Sequence, residues 1–179
     1  MTLTKIPRRI FLVGPMGSGK SSVGRELARR LGLTFIDADA ELEARTGVSI
    51  PWIFDVEGEE GFRRREAALV DELTDRDDVV LATGGGVVET AANCDVLGAR
   101  GVVVYLHAPV AVQLERTRGD RNRPLLQTED PEGRLSALME RREPLYREVA
   151  DVVVETTGGT ARSVAERVVR ALSNDPEGR

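Results

Sequence analysis

The sequence predicts an α/β fold, a three-layer α/β/α sandwich built around a five-stranded parallel sheet. Three observations carry that expectation. Short runs of β-branched and aliphatic residues alternate with longer amphipathic stretches, the order of βα units feeding a parallel sheet. The short runs are apolar almost throughout, as strands covered on both faces are. The chain of 179 residues, 41% of them hydrophobic, suits a single domain (1–179) with one sizeable core.

Taken in order, Arg9 to Val13 reads as the first strand and Lys20 to Leu31 as the first helix. In that helix Val23, Leu27, Ala28 and Leu31 share one face, while Arg25, Glu26, Arg29 and Arg30 lie largely on the other. Leu33 to Ile36 is the second strand, with a helix opening at Ala40. Phe62 to Leu73 is amphipathic and precedes the third strand, Val79 to Ala82. Val102 to Leu106 and Val152 to Val154 complete the sheet, with helices over Val110 to Thr117, Arg134 to Arg141 and Ala161 to Leu172. Pro51, Pro109, Pro124, Pro131 and Pro144 read as starts or breaks, because proline lacks the backbone donor and clashes inside a helix. Trp52 and Phe54 read as core residues, and the polar tail from Ser173 to Arg179 is expected to fray.

Composition narrows the function. Lys and Arg number 25 against 30 Asp and Glu, a net charge of −5. That balance offers no general attraction to nucleic acid or an anionic membrane, so neither is expected as a partner, and any basic cluster serves a small anion. Cys94 is the only cysteine, which excludes an intrachain disulfide and suits a reducing, cytoplasmic setting. The N-terminus lacks the features of a secretory leader, and the longest nearly apolar run, Val102 to Val112, is too short to span a bilayer. No exposed apolar stripe is evident, so a monomer is expected.

The sharpest motif is Gly14-Pro15-Met16-Gly17-Ser18-Gly19-Lys20-Ser21, a full match to GxxxxGK[ST] placed between a predicted strand and a predicted helix. Its glycines let backbone N–H groups turn around phosphate oxygens, and the helix N-terminus adds a positive dipole end. Lys20 supplies charge to the β- and γ-phosphates, and the Ser21 hydroxyl is a ligand for Mg²⁺. A nucleoside triphosphate is the default ligand. There is no NKxD element of a GTPase and no strand ending in adjacent acidic residues as in a motor ATPase, which leaves a small-molecule kinase.

Asp37 and Asp39 follow the second strand. At i and i+2 they place one carboxylate toward Mg²⁺ or an attacking hydroxyl and the other toward substrate hydroxyls; Asp39 as an N-cap for the helix at Ala40 is the plain alternative. Thr83-Gly84-Gly85-Gly86 ends the third strand and allows a ligand close to the backbone. Arginines fall in three sets: Arg63-Arg64-Arg65, then Arg116, Arg118, Arg121 and Arg123 on a segment broken by Gly, Asn and Pro, then Arg141-Arg142 ahead of Pro144. The middle set resembles a lid, about residues 117–130, that brings a guanidinium to a transferring phosphoryl group. His107 and Cys94 have no partners at metal-ligand spacing.

GPMGSGKSSVG, FIDAD, GEEGFRRRE, LATGGG, RPLL and REPLY stand in this order over nearly the whole chain, and together they resemble the shikimate kinases. The resemblance implies a P-loop kinase fold of the nucleoside-monophosphate-kinase type, with a lid and a substrate-binding helical segment. It implies transfer of the ATP γ-phosphoryl group to the 3-hydroxyl of shikimate, a step toward chorismate and the aromatic amino acids. By motif, Gly17, Ser18, Gly19, Lys20, Ser21 and Ser22 correspond to the nucleotide loop, with Ser21 and Asp37 at the Mg²⁺ position, Asp37 directly or through water. Lys20, Asp37 and Arg123 correspond to the catalytic residues. Asp39, Arg63, Gly85 and Arg142 correspond to the shikimate contacts, the two arginines gripping its carboxylate. Arg116 corresponds to an arginine stacked near adenine, and Thr157 marks the adenine pocket in its least recognisable stretch.

The residues alone leave other acceptors open. Gluconate also carries a carboxylate and hydroxyls, and a nucleoside monophosphate carries a dianion that has no need of Asp39. A nucleotide-binding module without turnover is the alternative outside the enzymes, and it has no use for a lid arginine such as Arg123.

Overall fold

The computed structural model of the protein describes residues 6–174. Five strands, β1 (Arg9–Val13), β2 (Thr34–Asp37), β3 (Val79–Ala82), β4 (Val102–His107) and β5 (Val152–Glu155), form one sheet in the order β2-β3-β1-β4-β5. Every pairing is parallel: Arg9 lies opposite Val79, Ile10 opposite Val102, Thr34 opposite Val79 and Val104 opposite Val152. Parallel neighbours need crossover connections, and helices supply them. They are α1 (Lys20–Leu31), α2 (Ala38–Thr46), α3 (Ile50–Thr74), α4 (Ala91–Arg100), α5 (Val110–Thr117) and α6 (Pro131–Val149), and α7 (Ala161–Asn174) follows the last strand.

Because strand side chains alternate, β1 feeds two cores. Phe11 and Val13 join Leu81 and Tyr105 against α3, α4 and α6, through Leu73, Leu97 and Tyr146. Ile10 and Leu12 join Val80, Val104 and Leu106 against α1 and α7, through Leu27 and Val168. The three predicted layers are present, and the central strands β1, β3 and β4 are buried on both faces as expected. The edges differ: β2 and β5 are only partly buried, since each has one hydrogen-bonded neighbour and one open side.

Pro144 is neither a start nor a break, whereas Pro51 does mark a helix start. Pro144 lies inside α6, which continues to Val149. α3 starts at Ile50, with Ser49 capping the Trp52 amide and Pro51 in the first turn, where a missing donor costs nothing. It bends at Gly58 (φ 73°, ψ 177°), a conformation that a side chain would resist. Trp52 on this first half is 48% exposed and is not a core residue, whereas Phe54 packs at 4.8 Å from Phe62. Ser173 and Asn174 complete α7 in place of a frayed end; the rest of the expected tail lies outside the described residues. The expected lid begins at the end of α5 and is tied down in its second half. There Pro124–Leu126 forms a 3₁₀ turn, and Leu126 packs with Met16, Leu135 and Leu138. No helix among the described residues is long and apolar enough to cross a membrane.

Candidate active site

The C-terminal ends of β1, β2 and β3 open onto one cleft, the position where open parallel sheets bind ligands. Between β1 and α1, Gly14, Gly17 and Gly19 have φ of 150°, 75° and 89°, so the loop turns as L side chains resist. A Cβ on Gly14 would also stand 2.5 Å from the Leu106 carbonyl oxygen. α1 starts with no side-chain cap and no acidic residue in its first turn. Its first amides and its dipole are left for an anion. Lys20 Nζ donates to the carbonyls of Gly14 (2.7 Å) and Pro15 (2.9 Å). Burial, and next the charge of Arg123, pull its pKa from 10.5 down to about 7, with Asp39 and Asp37 opposing. The Ser21 hydroxyl donates to Asp37 Oδ2. Asp37 Oδ1 accepts from the Ala40 amide at 3.1 Å, so Asp37, not Asp39, caps α2. That leaves the Asp39 carboxylate to the cleft. Burial raises its pKa, and the Asp37 charge adds to the effect.

The cleft, about 700 Å³, is lined by Gly17, Ser18, Gly19, Lys20, Ser21 and Ser22, and also by Asp37, Asp39, Gly85, Arg116 and Arg123. Arg116 brackets its far end, donating from Nη1 to the Gly17 carbonyl (3.0 Å) and Thr156 Oγ1 (3.2 Å), and from Nη2 to the Thr156 carbonyl (3.2 Å). Thr157 is exposed and is not on this wall; its neighbour Thr156 is, buried and donating to the His107 carbonyl at 2.9 Å. The two residues have opposite orientations at the end of β5, which the sequence of a weakly patterned TTGGT turn does not reveal.

A smaller pocket of about 70 Å³ continues the cleft beyond Asp39, Gly85 and Arg123, which line both. Arg63 from α3 and Arg142 from α6 meet there. Arg63 Nη1 donates to Glu66 Oε1 at 2.8 Å, and Glu66, 4% exposed, has its carboxyl pKa raised by burial against the opposing pull of Arg63. Arg142, 3% exposed, donates from Nε to Glu89 Oε2 at 2.9 Å. Its Nη2 is buried with no hydrogen-bond partner, although Glu89 Oε2 is 2.9 Å away, since the N–H directions miss it. The glycine corner makes this approach possible. A Cβ on Gly86 would fall 2.3 Å from Arg63 Nη2, and one on Gly84 2.9 Å from Glu66 Oε2 and 3.0 Å from Asp39 Oδ1. The Gly85 carbonyl accepts from the Tyr146 hydroxyl. From the segment after α5, Arg123 donates to Asp120 Oδ2 at 2.9 Å.

The structure thus brings together every sequence-predicted site residue except Thr157. Glu66, Glu89, Asp120 and Tyr146 were missed, and Thr156 lies in the 156–160 stretch expected at the adenine pocket, of which only Thr157 was marked. Glu66 was within reach, three positions after Arg63 on one helix face, and so was Asp120, three positions before Arg123; Glu89 and Tyr146 depend on contacts distant in sequence. Chemically, one end holds an anion-binding loop with hard oxygen donors in Ser21 and Asp37, the other holds two arginines suited to a carboxylate, and Asp39 and Arg123 stand between.

Comparison with known proteins agrees. The shikimate kinase family profile matches residues 16–173. A shikimate kinase of Halorhodospira halophila is 73% identical over 172 residues, 96% of this chain and 97% of that protein. The structure of shikimate kinase from Acinetobacter baumannii in complex with shikimate superposes with a TM-score of 0.93 at 52% identity, covering 97% of each chain. A gluconokinase of Sinorhizobium meliloti shares the fold at a TM-score of 0.62 and 21% identity, covering 94% of this chain and 93% of its own. With the nucleotide loop, the Asp39 wall and the arginine pair all in place, the chain belongs to the shikimate kinase family.

Proposed function

We propose that the protein transfers the γ-phosphoryl group of ATP to the 3-hydroxyl of shikimate, giving 3-phosphoshikimate and ADP on the route to chorismate and the aromatic amino acids. The observation that carries this reading is the continuity of the two cavities. An anion-binding loop and a pair of carboxylate-seeking arginines share the walls formed by Asp39, Gly85 and Arg123.

Arg63 and Arg142 grip the acceptor's carboxylate, whose plane matches a guanidinium fork. Asp39 accepts from its hydroxyls, and the backbone at Gly85 allows the ring to approach closely. The loop from Gly17 to Ser22 holds the phosphates, Arg116 and Thr156 enclose the nucleotide's other end, and Lys20 neutralises charge as it moves to the leaving oxygen. Arg123 supplies a second positive charge from the segment 117–130, which serves as the lid. Asp37 orients the reacting hydroxyl. Ser21 and Asp37 would hold Mg²⁺; one hydroxyl and one carboxylate suit an ion that fills its remaining positions with water and phosphate. When bound, Mg²⁺ offsets the negative charge of the nucleotide's phosphates. The assigned residues all stand on or beside one five-stranded sheet, which supports a single-domain enzyme, and the lone thiol of Cys94, donating to the Val88 carbonyl at 3.3 Å, supports a cytoplasmic one.

The test is ADP release from ATP and Mg²⁺ with shikimate, gluconate, AMP or no acceptor, on wild type and Lys20→Ala. Turnover is expected with shikimate alone and is expected to be lost in the variant. Turnover with gluconate or AMP instead would transfer the reading to that acceptor, and ATP binding without any turnover would leave a binding module.

A further inference from the structure

We propose that Glu89 is a positioning residue for acceptor binding, holding Arg142 and Arg63 in register before the acceptor's carboxylate arrives. The inference rests on the acceptor reading above and extends it to a residue that the sequence motifs do not include.

Glu89 ends the 3₁₀ turn Val87–Glu89 that follows the glycine corner, and its side chain is only 16% exposed. Its Oε2 accepts from Arg142 Nε at 2.9 Å and lies 3.7 Å from Arg63 Nη2; its Oε1 lies 2.5 Å from Arg141 Nε. One carboxylate therefore bridges arginines from α3 and α6, elements that no local sequence signal links. Two guanidiniums brought together in a partly desolvated pocket repel each other, and a shared counter-charge offsets that repulsion while fixing the direction of each fork. Burial works against ionisation of Glu89, but the charges of Arg142 and Arg141 outweigh it and hold the carboxyl below its ordinary range, so the counter-charge is present at neutral pH.

The edges used matter more than the charge. Glu89 takes the Nε side of Arg142, while Arg142 Nη1 is on the side of Gly85, 3.5 Å from where a Cβ there would stand. The buried Nη2 lies 2.9 Å from the same Glu89 oxygen without forming a hydrogen bond to it, so Nη1 is the nitrogen left to the cavity. Arg63 is held in a similar way, with Nη1 on Glu66 and Nη2 at 3.3 Å from Glu59. Glu89 thus fixes the back of the Arg142 fork and leaves its cavity side free. A positioned fork loses less freedom when a carboxylate docks, which favours binding without touching the reacting atoms.

The experiment compares wild type, Glu89→Gln and Glu89→Asp by steady-state kinetics with shikimate and ATP, alongside thermal melting. For Glu89→Gln the KM for shikimate is expected to rise roughly tenfold, with kcat and the KM for ATP within about twofold. A purely structural role would lower the melting temperature and leave the KM for shikimate in place, which would overturn the proposal. A lower KM would also overturn it, by showing that Glu89 competes with the acceptor for the arginines. So would a kcat that falls as far as KM rises. If the Gln variant does not fold, Glu89→Asp decides: it keeps the charge and loses the reach to Arg63, so its KM for shikimate is expected between the two, and a wild-type value there refutes the role. Failure of wild type itself to turn over shikimate would remove the acceptor reading and this proposal together, whereas normal wild type with unaffected variants removes Glu89 alone.

Discussion

Lys20 spends its ammonium on two carbonyls of its own loop and has a pKa near 7 in the free protein, pulled there chiefly by burial and then by Arg123. Phosphate oxygens favour the charged form, so nucleotide binding above pH 7 must take up a proton. ATP affinity is expected to fall as pH rises from 7 to 9, by at most about tenfold per unit. Calorimetry at pH 8 in buffers of different ionisation enthalpy reads the proton directly, and a buffer-independent heat would remove Lys20 as its source. The sign for stability is opposite. Between pH 7 and 10.5 the unfolded chain binds more protons at this group than the folded one, so its destabilising contribution is full below pH 7 and fades as pH rises toward 10.5. The motif made Lys20 legible in the sequence, because the chemistry of phosphate binding fixes its neighbours one by one. Glu89 was not legible, because nothing local distinguishes a carboxylate that meets Arg63 and Arg142 from one in water.

Among the elements, α2 shows how one side chain serves both folding and chemistry. Asp37 ends β2, caps α2 and receives the Ser21 hydroxyl. Asp37→Asn keeps a cap oxygen and loses the charge, so its unfolding free energy is expected within about 1 kcal/mol of wild type while kcat falls steeply. Asp37→Ala loses the cap as well and is expected to be less stable than the Asn variant by about 1 kcal/mol. Urea melts and kcat on the pair separate the two roles, and equal stability of both variants would remove the capping role. Periodicity located α1 and α5 to the residue, because their apolar stripes are clean. It missed the first half of α3, where Pro51, Gly58 and Gly61 look like loop residues and the exposed Trp52 blurs the stripe. It also ended the sixth helix too early, since Pro144 is a breaker by chemistry and is tolerated by a helix anchored on both sides through Met139 and Tyr146.

In the whole molecule, α1 packs on α7 and the sheet while its first turn forms the nucleotide site, so ligand binding and global stability are joined. ATP at about 100 times its Kd is expected to add about 2.7 kcal/mol to the unfolding free energy, a rise in Tm of about 5–10 °C. Lys20→Ala is expected to lose most of that rise, and a full rise in the variant would uncouple the lysine from binding. The layer order was legible because alternating βα patterning leaves few topologies. The strand order carries a consequence for synthesis. β1 emerges first from the ribosome, yet Arg9 pairs with Val79 and Ile10 with Val102, and the loop after β1 is shaped by the Leu106 carbonyl. More than half of the chain must be translated before that loop has its walls. Until then Ile10 to Val13 stays in water, so the nascent protein cannot gain stability from ATP and offers a chaperone its most apolar stretch at the moment it most needs one.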